Sequence, residues 1–265
     1  MTDLGVSVSV LAAAVLLCEA TRRAAAAPLR RAYRIYLLET VSTFQLCSCT
    51  HELKLLGETA RLDPSMSSAL TYIITVIHLM TFRGATCNPN AVLEGVCRGT
   101  RTVKAAVVLI ALQFGAAVAA RYFAASVWSL GLSDIHLRHQ KFGYRCFDPL
   151  GGTVLEAAAV ELACAFSVQA AVMHAHKVEE KLRVHFLALV ITAVVYAGGR
   201  ISGAAFNPVL AFSIHFPCSG HTYLEYCFIY WLGPVLGMAS CILLFEKILP
   251  FLSGTSSAVQ KQKTQ

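Results

Sequence analysis

Apolar runs long enough to cross a hydrocarbon layer about 30 Å thick recur near residues 32–56, 66–86, 103–127, 153–175, 184–203 and 222–250. They predict six long spanning helices. A shorter apolar run, Leu4 to Cys18, comes before Arg22 and Arg23 and has Asp3 rather than a basic residue ahead of it. That order argues against a cleaved signal peptide, and leaves a reverse-orientation anchor or an interfacial helix. The chain divides into an N-terminal apolar helix with a basic cytosolic linker (1–31), three spans (32–127), a connecting loop (128–152), three further spans (153–250) and a tail (251–265).

Composition agrees with the pattern. Of 265 residues, 56% are hydrophobic and 14% are Asp, Glu, Lys or Arg, where a soluble domain carries about 25% charged residues. Too little polar surface remains to cover a water-facing globule, which excludes most soluble enzymes as well as disordered and collagen-like chains. The net charge of +7 is dispersed between apolar runs and forms no basic stripe with aromatic platforms, so nucleic acid is not a partner; membrane lipid is. With the segment before residue 32 in the cytosol, fourteen of the 22 basic residues fall on the cytosolic side and five on the other, among them Arg61. That bias puts both ends of the six-span body in the cytosol.

The sequence repeats itself. Glu39-Thr-Val-Ser-Thr-Phe44 aligns with Glu161-Leu-Ala-Cys-Ala-Phe166 at an offset of 122, and Gly84-Ala-Thr-Cys-Asn88-Pro89-Asn90 aligns with Gly203-Ala-Ala-Phe-Asn207-Pro208-Val209 at an offset of 119. Each half holds three spans, an odd number, so the second half is expected upside down relative to the first.

Short apolar stretches, Asn90 to Cys97 and Val209 to Phe216, follow the two Asn-Pro pairs. About nine helical residues cover only about 13 Å, so neither crosses the membrane. Asn caps helix starts and Pro suits the first helical position, which makes each pair the start of a half-helix dipping into the bilayer. With inverted halves, the two N-termini meet near the midplane and repel cations, while the Asn88 and Asn207 amides donate to the oxygen of a passing neutral solute. The chain's asparagines, Asn88, Asn90 and Asn207, all lie in these boxes. The plainer reading is capping alone, with a closed interior. Gly84 and Gly203 suit loops passing close to a neighbouring helix, and Glu39 and Glu161, costly inside spans, suit acceptors for those loops better than acid–base groups.

Other chemistry is thin. Cys47, Cys49 and His51 have ligand-like spacing, but i and i+2 side chains on a helix diverge, so packing is the better reading and no metal or cofactor is expected. Cys146 and Cys218 lie in non-cytosolic loops, and a bridge between them or to Cys47 or Cys49 stays open. An intramembrane enzyme using His51 and Glu52, or His136 and His139, lacks any nucleophile or zinc motif. A non-conducting scaffold of the same fold is the main alternative to a channel.

At the Asn-Pro boxes and the two glutamates, residues 32–250 resemble the aquaporin (major intrinsic protein) family. Within it they most resemble the superaquaporin subgroup, aquaporin-11 type, through residues 43–53, SVWSLGL at 126–132, YAGG at 196–199, residues 203–216, and Cys218 nine residues beyond the second box. The resemblance implies an all-α aquaporin-like inverted repeat of six transmembrane helices and two re-entrant half-helices, here with an additional N-terminal apolar helix. It also implies a passive channel for water, glycerol and hydrogen peroxide that excludes ions, a homotetramer, and an endoplasmic reticulum membrane location. Lys261 and Lys263 resemble a dilysine retrieval signal. Two departures stand out: the first box ends in Asn90, and Leu210 replaces the constriction Arg that water-selective members carry. The other constriction positions fall on Ser68, Val195 and Ala204, which implies a wider, more apolar filter. Arg200 reads more plainly as a solvated loop residue than as a replacement charge.

Overall fold

The computed structural model of the protein describes residues 2–26, 30–59, 62–146, 149–216 and 218–253. Among them the regular elements are helices: α1 (Asp3–Ala26), α2 (Arg31–Thr59), α3 (Pro64–Thr81), α4 (Pro89–Cys97), α5 (Val103–Ser129), α6 (Asp134–Lys141), α7 (Val154–His174), α8 (Glu180–Gly198), α9 (Pro208–Ile214) and α10 (Tyr223–Leu252). Lys261 and Lys263 lie outside the described residues, as does Arg61.

Five of these helices, α1, α5, α7, α8 and α10, are long and apolar enough to cross a bilayer. The stretches expected as the first two spans form α2 and α3 but are more polar. In α2 the polar residues Glu39, Ser42, Thr43, Gln45, Ser48 and Glu52 are all buried, so polarity that weakens the apolar signal faces protein. α3 opens on Pro64-Ser-Met-Ser-Ser68 and stops at Thr81, short of the expected residue 86. The backbone leaves the helix because Arg83 and Gly84 take φ of 52° and 89°, left-handed values that end a right-handed helix. α8 likewise begins and ends earlier than the expected 184–203. At the N-terminus the helix outruns the expected Leu4–Cys18 stretch, reaching 24 residues.

The molecule comprises two compact units. One is Met1–Pro149 with Asn207–Tyr226; the other is Leu150–Phe206 with Cys227–Gln265. In the first, α2 is the hub against which α1, α3, α5 and α9 pack. Leu11, Ala14, Cys49 and Ile74 join α1, α2 and α3; Cys47, Ala117, Ala120 and Val209 join α2, α5 and α9. The connection expected as loop at 128–152 holds α6, whose start is capped by Ser133 and whose Ile135 packs with Leu55, Leu56 and Trp128.

In the second unit α7 packs against α8 and α10. The approach to α10 depends on Gly237, where a Cβ would stand 2.2 Å from the Leu162 carbonyl oxygen. α10 contains two π-helical segments, Phe228–Leu232 and Leu244–Ile248. Each precedes a proline, Pro234 or Pro250, that lacks an N–H and whose ring would press on the carbonyl four residues back; the wider π turn relieves both problems.

Candidate functional site

The two Asn-Pro boxes take the same local form. Asn88 is extended (φ −149°), Pro89 opens α4, and the Asn88 Oδ1 accepts from Asn90 N at 2.9 Å. Asn207 is extended (φ −144°), Pro208 opens α9, and the Asn207 Oδ1 accepts from Val209 N at 3.1 Å. Each cap therefore satisfies an amide that the helix itself leaves without a partner. The caps also touch: Asn207 Nδ2 donates to the Cys87 carbonyl at 2.7 Å. Within the first unit, the starts of α4 and α9 come together at one point.

Buried carboxylates hold both loops that lead into the boxes. Glu39 Oε1 accepts from Cys87 N at 2.5 Å, Thr86 Oγ1 at 2.9 Å and Gln113 Nε2 at 2.7 Å, and its Oε2 accepts from Thr86 N at 3.1 Å. In the second unit, Glu161 Oε1 accepts from Ser202 Oγ at 2.6 Å and Ala205 N at 3.0 Å, and its Oε2 from Phe206 N at 2.5 Å. Tyr230 adds a bond from its hydroxyl to the Ser202 carbonyl at 2.6 Å.

The loops share a backbone signature. Gly84 and Gly203 have φ of 89° and 82°, and the residues just before the asparagines, Cys87 and Phe206, have 51° and 35°. Close backbone approach is not what Gly84 provides, because a Cβ there would meet nothing within 4 Å; its left-handed φ is what the position requires. Asn90 is 4% exposed and its Oδ1 has no hydrogen-bond partner among the described residues.

The carried-over filter positions lie in both units. In the first, Ser68 is half-buried on α3, and Leu210, the third residue of α9, packs against Cys47, Ala117, Ala120 and Val209. In the second, Val195 is half-buried on α8, and Ala204 is buried at φ 45° in the loop before the box. Arg200 is exposed in the turn after α8.

Residues weighed for acid–base or metal chemistry have other occupations. Cys47 and Cys49 join separate apolar clusters, while His51 Nε2 lies 3.0 Å from Ser213 Oγ on α9. Glu52 Oε1 accepts from Ser7 Oγ at 2.5 Å and lies 3.1 Å from His136 Nε2, and its Oε2 accepts from Trp128 Nε1 at 2.8 Å. His139 packs edge-on against Trp128 at 4.8 Å and close to Tyr144; burial first, then nearby His136 and Lys54, holds its imidazole below the ordinary range. A disulfide joins Cys146 to Cys218, which resolves the pairing left open by the sequence, and Cys47 and Cys49 are free buried thiols.

Several contributors are not singled out by pattern. Gln113 and Ser202 reach the glutamates, and their only mark in the sequence is a polar residue within or beside an apolar run. Lys54, which donates to the Ile214 carbonyl at 3.1 Å, carries no motif.

A family model described as Major intrinsic protein matches residues 31–245. The chain belongs to the major intrinsic protein family. Among curated relatives, it is 37% identical over 262 residues to Aquaporin-11 of Homo sapiens, covering 98% of this chain and 94% of that protein. It is 32% identical over 257 residues to Aquaporin-12 of Mus musculus, at 95% and 89% coverage, and 26% identical over 231 residues to Aquaporin-11 of Milnesium tardigradum, at 85% and 80%. These likenesses match the superaquaporin subgroup. Major intrinsic proteins are membrane channels, not enzymes, and the all-helical fold with its long apolar helices accords with that membership. The family match begins at residue 31, so α1 precedes it.

Proposed function

We propose that the protein is a passive channel for water and small neutral solutes, glycerol and hydrogen peroxide included, that rejects ions and protons. The observation that carries this reading is the contact between the boxes, where Asn207 Nδ2 meets the Cys87 carbonyl at 2.7 Å while both asparagine Oδ1 atoms cap their half-helices. Two helix starts at one point concentrate positive partial charge, which is unfavourable for a cation and tolerable for a dipole. Water or a hydroxylic solute replaces lost hydrogen bonds with those of the box amides.

Residues 32–127 and 153–250 act in this reading as two inverted repeats. Their support is the matching order of long, long, short and long helices and the matching grip of Glu39 and Glu161 on the last two amides before each asparagine. The filter residues that likeness to the family carries over are Ser68 and Leu210 in the first unit and Val195 and Ala204 in the second. None of the four is Arg, His or aromatic, which favours passage of glycerol. By likeness to the family, the working form is a homotetramer in the endoplasmic reticulum membrane, each subunit with its own pathway.

Vesicles holding the purified protein are expected to respond to osmotic, glycerol and hydrogen peroxide gradients faster than protein-free vesicles in stopped-flow light scattering and peroxide-dye assays. Rates equal to the protein-free control would replace the channel with a scaffold of the same fold. Asn207→Asp, which turns a donor at the box into an anion, should raise cation leak. Leu210→Arg should lower glycerol flux more than water flux.

A further inference from the structure

We propose that His51 and Lys54, one turn apart on α2, are positioning residues for the second half-helix. α9 is seven residues long, Pro208–Ile214, and none of them is charged. So short a helix does not hold its own shape, and its last carbonyls need donors from elsewhere. Lys54 supplies one, its Nζ donating to the Ile214 carbonyl at 3.1 Å and lying 3.3 Å from His215 Nδ1. Its ammonium also sits at the negative end of the helix dipole, the favourable end for a cation.

One turn earlier, His51 Nε2 is 3.0 Å from Ser213 Oγ, whose hydroxyl donates to the Ala117 carbonyl at 3.2 Å. A hydroxyl has one hydrogen, so Ser213 accepts from His51 and the histidine carries its proton on Nε2. α9 is thereby fixed to α2 and α5 at its far end, as the Asn207 contact fixes its start.

This inference rests on the channel reading for its functional meaning, but its test does not. In the full-length protein, Lys54→Met should speed amide hydrogen exchange across Phe212–His215 by about tenfold or more and lower solute flux per molecule, and Lys54→Arg should restore both. Unchanged exchange in Lys54→Met overturns the positioning role whatever the flux does. Normal exchange differences in a protein that conducts nothing would instead sink the channel reading alone.

A separate set of contacts concerns α1. We infer that α1 is a membrane crossing of its own, antiparallel to α2, with its Asp3 end on the side of α6 and its Arg22 end on the side of Arg83. At one end, Asp3 Oδ1 accepts from the α6 amide of Asp134 at 3.0 Å and Ser7 donates to Glu52. Midway, Leu11 and Ala14 pack with Cys49 and Ile74. At the other end, fully buried Arg22 reaches Ser42 at 3.3 Å and also Gln45, and Glu19 pairs with Arg83 just beyond α3.

The order of partners on α2, from Glu52 through Cys49 to Ser42, runs opposite to the order on α1. A 24-residue helix is about 36 Å long, enough to cross. An interfacial helix does not hold partners at both ends of a spanning neighbour. The charges agree, with Arg22 and Arg23 at one end and Asp3 at the other.

The chain has no Asn-x-Ser/Thr site, so engineered glycosylation acceptors read without background. One acceptor fused ahead of Met1 and another inserted at Gly143, between α6 and α7, tested singly in microsomes, should share one state. A third fused after the last residue should take the opposite state. An N-terminal acceptor whose state differs from that of the Gly143 acceptor overturns the crossing. Protease protection of an N-terminal epitope provides the same reading in any variant that resists glycosylation.

Discussion

Glu39 accepts four hydrogen bonds, two of them from backbone amides that have nowhere else to turn. Glu39→Ala leaves those donors buried and unmet, at about 1–3 kcal/mol each, so the variant should lose several degrees or more of thermal stability in detergent and show lowered yield. Asn90 presents the opposite case. Its buried Oδ1 has no partner among the described residues, and Asn90→Ala is expected to be neutral or to stabilise by about 1 kcal/mol in the same melt.

For His139, the depressed imidazole should charge only below about pH 6.5, and charging should quench Trp128, 4.8 Å away. Since the folded form binds its proton less readily than the unfolded chain, packing of α6 weakens as pH falls through that range. A fluorescence titration of Trp231→Phe, which leaves Trp128 as the sole tryptophan, reads the midpoint. A midpoint at or above the free-histidine value would contradict the burial argument. At this scale the sequence exposes the asparagines and glutamates, because polar residues in apolar surroundings are rare. It hides Lys54 and Ser7, whose roles arise only when helices meet.

Among the elements, the apolar period marks the long helices well and misjudges their ends. α3 stops early for a reason local to Arg83 and Gly84, and α6 goes unseen because eight mostly polar residues carry no membrane-scale signal. Its Ser133-Asp134 start and its basic last turn are nonetheless a legible cap pattern. The π segments of α10 are encoded by Pro234 and Pro250, residues that mark helix ends more often than wide turns. Helix contacts make a sharper test. Gly237→Ala would press a methyl onto the Leu162 carbonyl, and overpacking of this kind costs about 1–3 kcal/mol; Gly84→Ala meets open space and costs about 1–2 kcal/mol for its left-handed φ alone. Parallel thermal melts of the two variants separate a packing glycine from a conformational one.

For the molecule as a whole, family membership fixes the architecture, while the cross-links within the first unit set its cohesion. The Cys146–Cys218 bond joins residues 72 apart in sequence, and loop-closure entropy puts its loss at about 4 kcal/mol. Cys146→Ser and Cys218→Ser should each reproduce that loss, and the double variant should add little to either. A double variant much worse than the singles would assign the thiols separate roles. The repeat in the sequence makes the two boxes legible as equivalents. It does not reveal that one box leans on the other, since the Asn207 amide spends a donor on a carbonyl 120 residues earlier. During synthesis at about 5–20 residues per second, the ribosome delivers Asn207 some 6–24 s after Cys87. For that interval the earlier loop is held without the Asn207 contact, by Glu39 with Thr86 and Gln113, which makes the nascent first half the stage at which an inherited or engineered defect at Glu39, Thr86 or Gln113 would expose the chain to quality control.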